Sequence, residues 1–250
     1  MPRFAANLTY LWAELPYLDR FEAAADAGFA AVEVQQPYDV PVPETLEALH
    51  GNGLQFVLLN APGPNYTGGA RGFAAVPGGE ARFDYDMRRA VRYAQALGAS
   101  VIHVMSGDAS GLAARDTLIA NLGRAAETLP SDLTLTIEPL GPSSQPDYFL
   151  NSFDLAAEVL DAVGAPNVGL QFDTYHAQDI TGDVMGTYRT VQPLIRHVQI
   201  GDAPGRVPPG TGTIDFDTFF AALDADGYAG WVGAEYRTDG RTDKTLDWMR

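Results

Sequence analysis

Cysteine is absent from the 250 residues, which excludes disulfide frameworks, thiol nucleophiles and thiolate metal sites. Any metal must then be held by oxygen or imidazole, donors that suit a hard cation. Lysine occurs once, at Lys244, and Lys+Arg total 16 against 32 Asp+Glu, a formal charge of −16. Such a field repels phosphate backbones and anionic lipid at long range, so neither nucleic acid nor a membrane surface is expected as a partner. It disfavours small anionic metabolites too, so binding an acid requires local positive charge from an arginine or a metal. No apolar run reaches the roughly 18 residues of a membrane span. The N-terminal stretch lacks a basic segment followed by a long apolar one, and a cytoplasmic location is expected. A glycine-rich dinucleotide fingerprint is missing after the first strand-like run.

What is present is an alternation. Short β-branched or aromatic runs at 4–8, 31–35, 56–61, 100–106, 133–139, 168–175, 195–201 and 231–236 are separated by longer amphipathic segments. The latter include 15–27, 80–97, 114–129, 153–163, 215–226 and a last one near 242–249. Gly28, Gly98 and Gly164 follow helix-like segments where a left-handed C-cap is cheap, and Ser152 and Asp215 stand where N-caps belong. Eight strand-helix units in 250 residues predict an α/β fold, a single (β/α)8 TIM barrel over residues 1–250. Residues 62–79, crowded with glycine and proline, form the longest irregular stretch and are expected to act as a lid over the C-terminal mouth of the barrel.

Four polar residues sit near the C-terminal ends of the last four strand-like runs: Glu138, Asp173, Gln199 and Glu235. Each taken alone has an ordinary use in an ion pair, a helix cap or packing. All four in successive units are harder to explain that way, because a carboxylate ending a buried strand is costly unless paired or metal-bound. Three such carboxylates at one mouth would repel one another, and a divalent metal, Mg2+ or Mn2+, is the simplest way to hold them ionised together.

The segments around these residues carry a resemblance. Arg3-Phe4-Ala5-Ala6-Asn7-Leu8, Gly69-Ala70-Arg71-Gly72, Ile137-Glu138-Pro139, Gln171-Phe172-Asp173-Thr174-Tyr175-His176, His197-Val198-Gln199-Ile200, Pro209-Gly210-Thr211-Gly212 and Gly230-Trp231-Val232-Gly233-Ala234-Glu235-Tyr236 resemble the hydroxypyruvate isomerase family of xylose isomerase-like barrels. The resemblance implies that Glu138, Asp173, Gln199 and Glu235 bind the metal and that Glu138 and Glu235 are the catalytic acid and base. The expected reaction interconverts hydroxypyruvate and tartronate semialdehyde. Relatives that epimerise free ketoses tend to carry histidine at the position of Gln199, so the amide favours the hydroxypyruvate branch. A 2-oxo-tetronate isomerase is the nearest alternative, and an apurinic-site endonuclease a more distant one.

His176 matches a position that contacts substrate oxygens in relatives, and Arg206 and Arg71 are candidates for the substrate carboxylate, each with a solvated or merely supportive role as the alternative. His103 is expected in the core. His197, two residues from Gln199, is expected to support the site from below. Tyr10 and Trp12 are candidates for the pocket wall, or for packing elsewhere. The substrate expected is a small hydroxy-carbonyl acid, and oligomeric state is left open, a homo-oligomer included.

Overall fold

The computed structural model describes residues 2–63 and 71–249. Eight parallel strands close in chain order into a barrel, β1 pairing with β8. They are β1 (Arg3–Asn7), β2 (Ala31–Glu33), β3 (Gln55–Asn60), β4 (Val101–His103), β5 (Thr134–Ile137), β6 (Val168–Asp173), β7 (Ile195–Ile200) and β8 (Trp231–Ala234). Around them run α1 (Asp19–Asp26), α2 (Val42–Gly51), α3 (Glu80–Leu97), α4 (Gly111–Thr128), α5 (Phe153–Val163), α6 (Thr174–Thr181), α7 (Val184–Val191) and α8 (Phe216–Ala225). The TIM barrel expected from the alternation is the fold observed, and each of the eight runs contains or overlaps one strand.

Strand alternation divides the sheet into two faces. Outward-facing residues such as Phe172 meet the helices, where Phe153 of α5, Tyr188 of α7 and Phe219 of α8 pack against its ring with centroids 5.6–5.9 Å away. The inward face changes character along the axis. At the N-terminal end it is apolar, with Ala5, Ala31, Leu58 and Val101 in one buried cluster. Towards the C-terminal end the buried residues are Asn7, Glu33, Asn60, His103, Thr136, Gln171, His197 and Gln199. A polar layer of this kind is tolerable only if it is hydrogen-bonded throughout or serves a ligand.

Helix ends follow local chemistry. Ser152 Oγ accepts from Leu155 N (3.2 Å) and Asp215 Oδ1 from Thr218 N (3.0 Å), as expected of N-caps. Gly98 and Gly164 close α3 and α5 at φ +73° and +61°. Two expectations need correction. The strand read over 168–175 ends at Asp173, because its carboxylate accepts from Tyr175 N (2.7 Å) and His176 N (3.2 Å) and turns the chain into α6. The last helix is instead two short 3-10 turns, Thr242–Lys244 and Asp247–Met249, held by packing of Trp248 edge-on against Phe4 and Tyr236. Of the expected lid, residues 64–70 lie outside the described residues. Residues 71–79 pack down: Gly72 bridges Ser106, Ala75 N donates to Ser106 O (2.7 Å), and Asn121 Nδ2 donates to Ala74 O (2.8 Å). No helix among the described residues is long and apolar enough to cross a membrane.

Candidate active site

The C-terminal mouth of the barrel holds a cavity of about 390 Å³ whose lining includes Glu138, Glu235, His176, His103, Asn60 and Arg206. The volume is that of a small-molecule pocket. Glu138 follows β5, Asp173 ends β6, Gln199 lies in β7 and Glu235 follows β8, so successive strands bring all four to one end, each buried.

A continuous string of hydrogen bonds ties Glu138, Gln199 and Glu235 together. Thr136 Oγ1 donates to Gln171 Oε1 (3.0 Å), and Gln171 Nε2 donates to both Glu138 Oε2 (3.2 Å) and Gln199 Oε1 (2.8 Å). Gln199 Nε2 donates to Glu33 Oε2 (2.8 Å). Asn7 Nδ2 then bridges Glu33 Oε2 (3.2 Å) and Glu235 Oε2 (2.9 Å). His197 Nε2 closes on Glu33 Oε1, so the support expected of His197 comes through Glu33. The approach is close enough that a Cβ at Gly233 would be driven into the Glu33 carboxylate. Neither Glu33, Asn7 nor Gln171 was anticipated as part of the site.

Arg206 is buried in the middle of the acidic groups. Its Nη2 meets Asp173 Oδ2 and Glu235 Oε1 (2.5 Å), and its Nε donates to the Glu235 carbonyl (3.0 Å). With Nη2 occupied, the planar fork cannot clasp a carboxylate with two parallel bonds, and only Nη1 remains for a ligand. Arg206 thus lines the cavity as expected, with a single guanidinium nitrogen, Nη1, turned to a ligand. Its backbone is held left-handed, at φ +59°, by a loop organised around buried Asp202. Asp202 accepts from Ala203 N (2.8 Å), Gly210 N (3.0 Å), Gly212 N (2.8 Å) and Ile214 N (3.0 Å).

His176 Nδ1 accepts from Gly141 N (3.0 Å), which places the ring proton on Nε2. Arg206 Nη1 lies 3.1 Å from that Nε2 and can only donate, so the two groups present hydrogens to the cavity side by side. Ligand atoms of Glu138, Asp173 and His176 lie within 4.8 Å of one another, a spacing a cation can bridge. The tautomer imposed by Gly141 makes His176 a hydrogen-bond donor, and leaves the oxygens as the ligands. Burial depresses the His176 pKa well below the ordinary value, with Arg206 adding to the effect, so the ring is neutral.

His103 is not simply core. It is buried, yet it lines the cavity with its Nε2 3.6 Å from Glu138 Oε2, and burial followed by repulsion from His197 lowers its pKa to about 3. Tyr10 lines the cavity, with the Arg206 and Arg237 guanidiniums 5.3 and 5.6 Å from its ring. Trp12 does not: it donates to Asp243 Oδ1 (2.7 Å) and packs edge-on against Phe29. Arg71 and Arg237 are exposed at the rim of the same cavity.

Electrostatics confirm the strain of gathering these acids. Burial, then Asp173 and Glu235, raise the Glu138 pKa well above the ordinary value. Burial raises Glu235 to about 7 against the pull of Arg206, and Asp173 is also raised, burial again leading. Glu138 Oε1 has no hydrogen-bond partner among the described residues. An orphaned carboxylate oxygen among oxygen donors that resist ionisation together fits a divalent cation.

Residues 21–250 match the xylose isomerase-like TIM barrel family. The chain belongs to that family. It is 40% identical over 255 residues to a 2-oxo-tetronate isomerase of Cupriavidus necator, covering 100% of this chain and 98% of that protein. It is 38% identical over 254 residues to a hydroxypyruvate isomerase of Escherichia coli, with the same coverage. Among solved structures, one described as an AP endonuclease, family 2, from Brucella melitensis superposes with a TM-score of 0.96 at 39% identity, covering 100% of this chain and 98% of that one. The isomerase class expected from the sequence agrees with the names of the two enzymes.

Proposed function

We propose that the protein interconverts hydroxypyruvate and tartronate semialdehyde, with Glu138 and Glu235 as the acid-base pair and with Glu138, Asp173, Gln199 and Glu235 holding a divalent metal, Mg2+ or Mn2+. The observation that carries the reading is the pair of buried glutamates facing one cavity from β5 and β8. Two carboxyl groups on opposite sides of a small substrate are suited to take up a proton and return it.

Isomerisation moves one proton from C3 of the substrate to C2 and another from the C3 oxygen to the C2 oxygen, through an enediolate. One glutamate removes the C3 proton. The carboxylic acid form then delivers a proton to C2 on completion. A bound divalent cation would polarise the two adjacent oxygens and offset the negative charge that develops on them. His176 Nε2–H and Arg206 Nη1 donate to the same developing charge, their positions fixed by Gly141 and by Asp173 and Glu235. Gln171 and Asn7 hold the two glutamates at the ends of the hydrogen-bonded string. Arg71 and Arg237, at the rim, supply the positive charge that draws an acid towards a chain of net charge −16.

The four-carbon congener, 2-oxo-tetronate, uses the same chemistry, and relatives about 40% identical to this chain are named for it, which supports it as a second substrate. A nuclease reading is disfavoured by the charge and by the single lysine. The test is an assay with hydroxypyruvate, with and without added Mg2+ or Mn2+. Turnover that Glu138→Gln and Glu235→Gln each reduce by at least about a hundredfold is expected from acid-base catalysis. Full activity in either variant removes that residue from its role.

A further inference from the structure

The chain leaving β5 for α5 passes along the cavity, which Ser143, Ser144 and Gln145 help to line. Its first turn is held by side chains of α6. His176 Nδ1 accepts from Gly141 N (3.0 Å), and Asp179 Oδ2 accepts from both Ser143 N (3.1 Å) and Ser143 Oγ (2.7 Å). Residues three apart on a helix share a face, so His176 and Asp179 grip the same strip of backbone. Between the two grips the strip is a tight turn, with Ser144 N and Gln145 N donating to Gly141 O at 3.0 and 3.1 Å. Gly141 and Ser143 therefore move as one unit. That unit sits so close to α6 that a Cβ at Gly141 would be driven into the Asp179 side chain.

Which nitrogen of a neutral imidazole carries the proton is set by the hydrogen bond that the other one makes. Two donors compete for His176. Gly141 N–H keeps Nδ1 bare and the proton on Nε2, whereas Arg206 Nη1, 3.1 Å from Nε2 and able only to donate, favours a bare Nε2. If the Gly141 turn lifts away, Arg206 wins. The ring then accepts from the guanidinium, and the cavity loses the Nε2–H donor.

We propose that Asp179, which is not among the residues lining the cavity, is a positioning residue for catalysis: by fastening the Ser143 turn it keeps Gly141 N–H on His176 Nδ1 and so holds the imidazole in its donating tautomer. The effect on turnover rests on the isomerase reading. The tautomer does not.

The test reads the tautomer by 15N NMR of the histidine rings in the presence of Mg2+, with His176→Asn identifying the His176 resonances. The wild-type protein should show a protonated Nε2 and a bare Nδ1. In Asp179→Ala much of the proton should move to Nδ1. For hydroxypyruvate kcat should then fall at least about tenfold, the equivalent of one hydrogen bond to a charged group. KM should change by less than about threefold, as for a contact made in the transition state. Asp179→Asn, whose amide oxygen can receive both Ser143 bonds, should restore most of the tautomer and of kcat. Gly141→Ala breaks the same contact from the other side and should reproduce Asp179→Ala, while Ser143→Ala, which removes only the Oγ bond, should give an intermediate shift and is the variant to read where the others fail to fold. A folded Asp179→Ala protein, judged by its thermal midpoint, that keeps the proton on Nε2 overturns the proposal, as does a shifted tautomer with kcat intact. If the wild-type protein does not turn over hydroxypyruvate but the tautomer moves as stated, the isomerase reading fails and the control of His176 by Asp179 stands.

Discussion

Glu33 is the buried charge beneath the site, and replacing it with glutamine removes that charge with almost no change in shape. The amide can keep its oxygen towards Asn7 and Gln199 and turn its nitrogen to His197, which accepts through Nε2 in its other neutral tautomer. The packing survives, and the electrostatics change. Asn7 Nδ2 bonds Glu33 Oε2 at 3.2 Å and Glu235 Oε2 at 2.9 Å, so the two carboxylates are no more than roughly 6 Å apart. At an effective dielectric constant near 20 that separation corresponds to about 3 kcal/mol of repulsion, or about two pH units on the titration of Glu235. The charge on Glu33 is among the causes that raise Glu235 to about 7, after burial and Asp173. Metal binding needs the ionised carboxylates, so affinity for Mn2+ measured by calorimetry should climb with pH and level off above about 7 in the wild-type protein. In Glu33→Gln the climb should occur about one to two pH units lower. A midpoint that stays in place or moves upward refutes the coupling of Glu33 to the site.

Other outcomes follow from the same geometry. Asp202→Asn turns one acceptor of two backbone N–H groups into a donor facing them, so it should cost roughly 2–4 kcal/mol in chemical denaturation and lower kcat, because Arg206 rides on the loop that Asp202 ties. Gly233→Ala drives a methyl into the Glu33 carboxylate, and a loss of about 1–3 kcal/mol is expected, with weaker metal affinity as a second readout because Gln199 hangs from Glu33. The raised pKa of Glu235 makes a prediction about stability with pH. The unfolded chain ionises this group near 4.5 and the folded one near 7, so its contribution falls as pH rises through that window. In chelator the thermal midpoint should therefore decline less steeply between those pH values in Glu235→Gln than in the wild-type protein, and saturating Mn2+ should remove the difference.

The strands were legible because each is a short apolar run bounded by helix caps, and the four acidic or amide strand ends because polar groups there violate the run that precedes them. The residues beneath them were not, for a topological reason. Glu33 meets His197 across 164 residues and Asn7 meets Glu235 across 228, contacts made only when the barrel closes. Before closure Glu33 reads as an ordinary alternating polar residue in Ala31–Glu33, since local periodicity says which face a side chain takes and nothing about what it faces there. His103 was legible in principle. The alternation that puts Val101 in the inner apolar cluster puts His103 on the same face one step nearer the mouth, the rule already applied to Glu138 and Asp173.

Arg206 shows a different limit, one of stoichiometry. A buried arginine near three acids looks, from its neighbours in the chain, like the natural holder of a substrate carboxylate. Once Nη2 is divided between Asp173 and Glu235 and Nε is bound to a carbonyl, the guanidinium has only Nη1 to offer. It offers that one group beside His176 Nε2–H, two donors with no acceptor between them among the described residues. The arrangement is costly without a ligand and favourable with an oxyanion seated there, which is the differential that favours a transition state over an empty site. Holding the carboxylate thus falls to the exposed rim, Arg71 and Arg237, where a guanidinium is free to move with the substrate. Truncating either to alanine should raise KM several-fold with little change in kcat, whereas Arg206→Lys, which keeps the charge but loses the fork, should lower kcat.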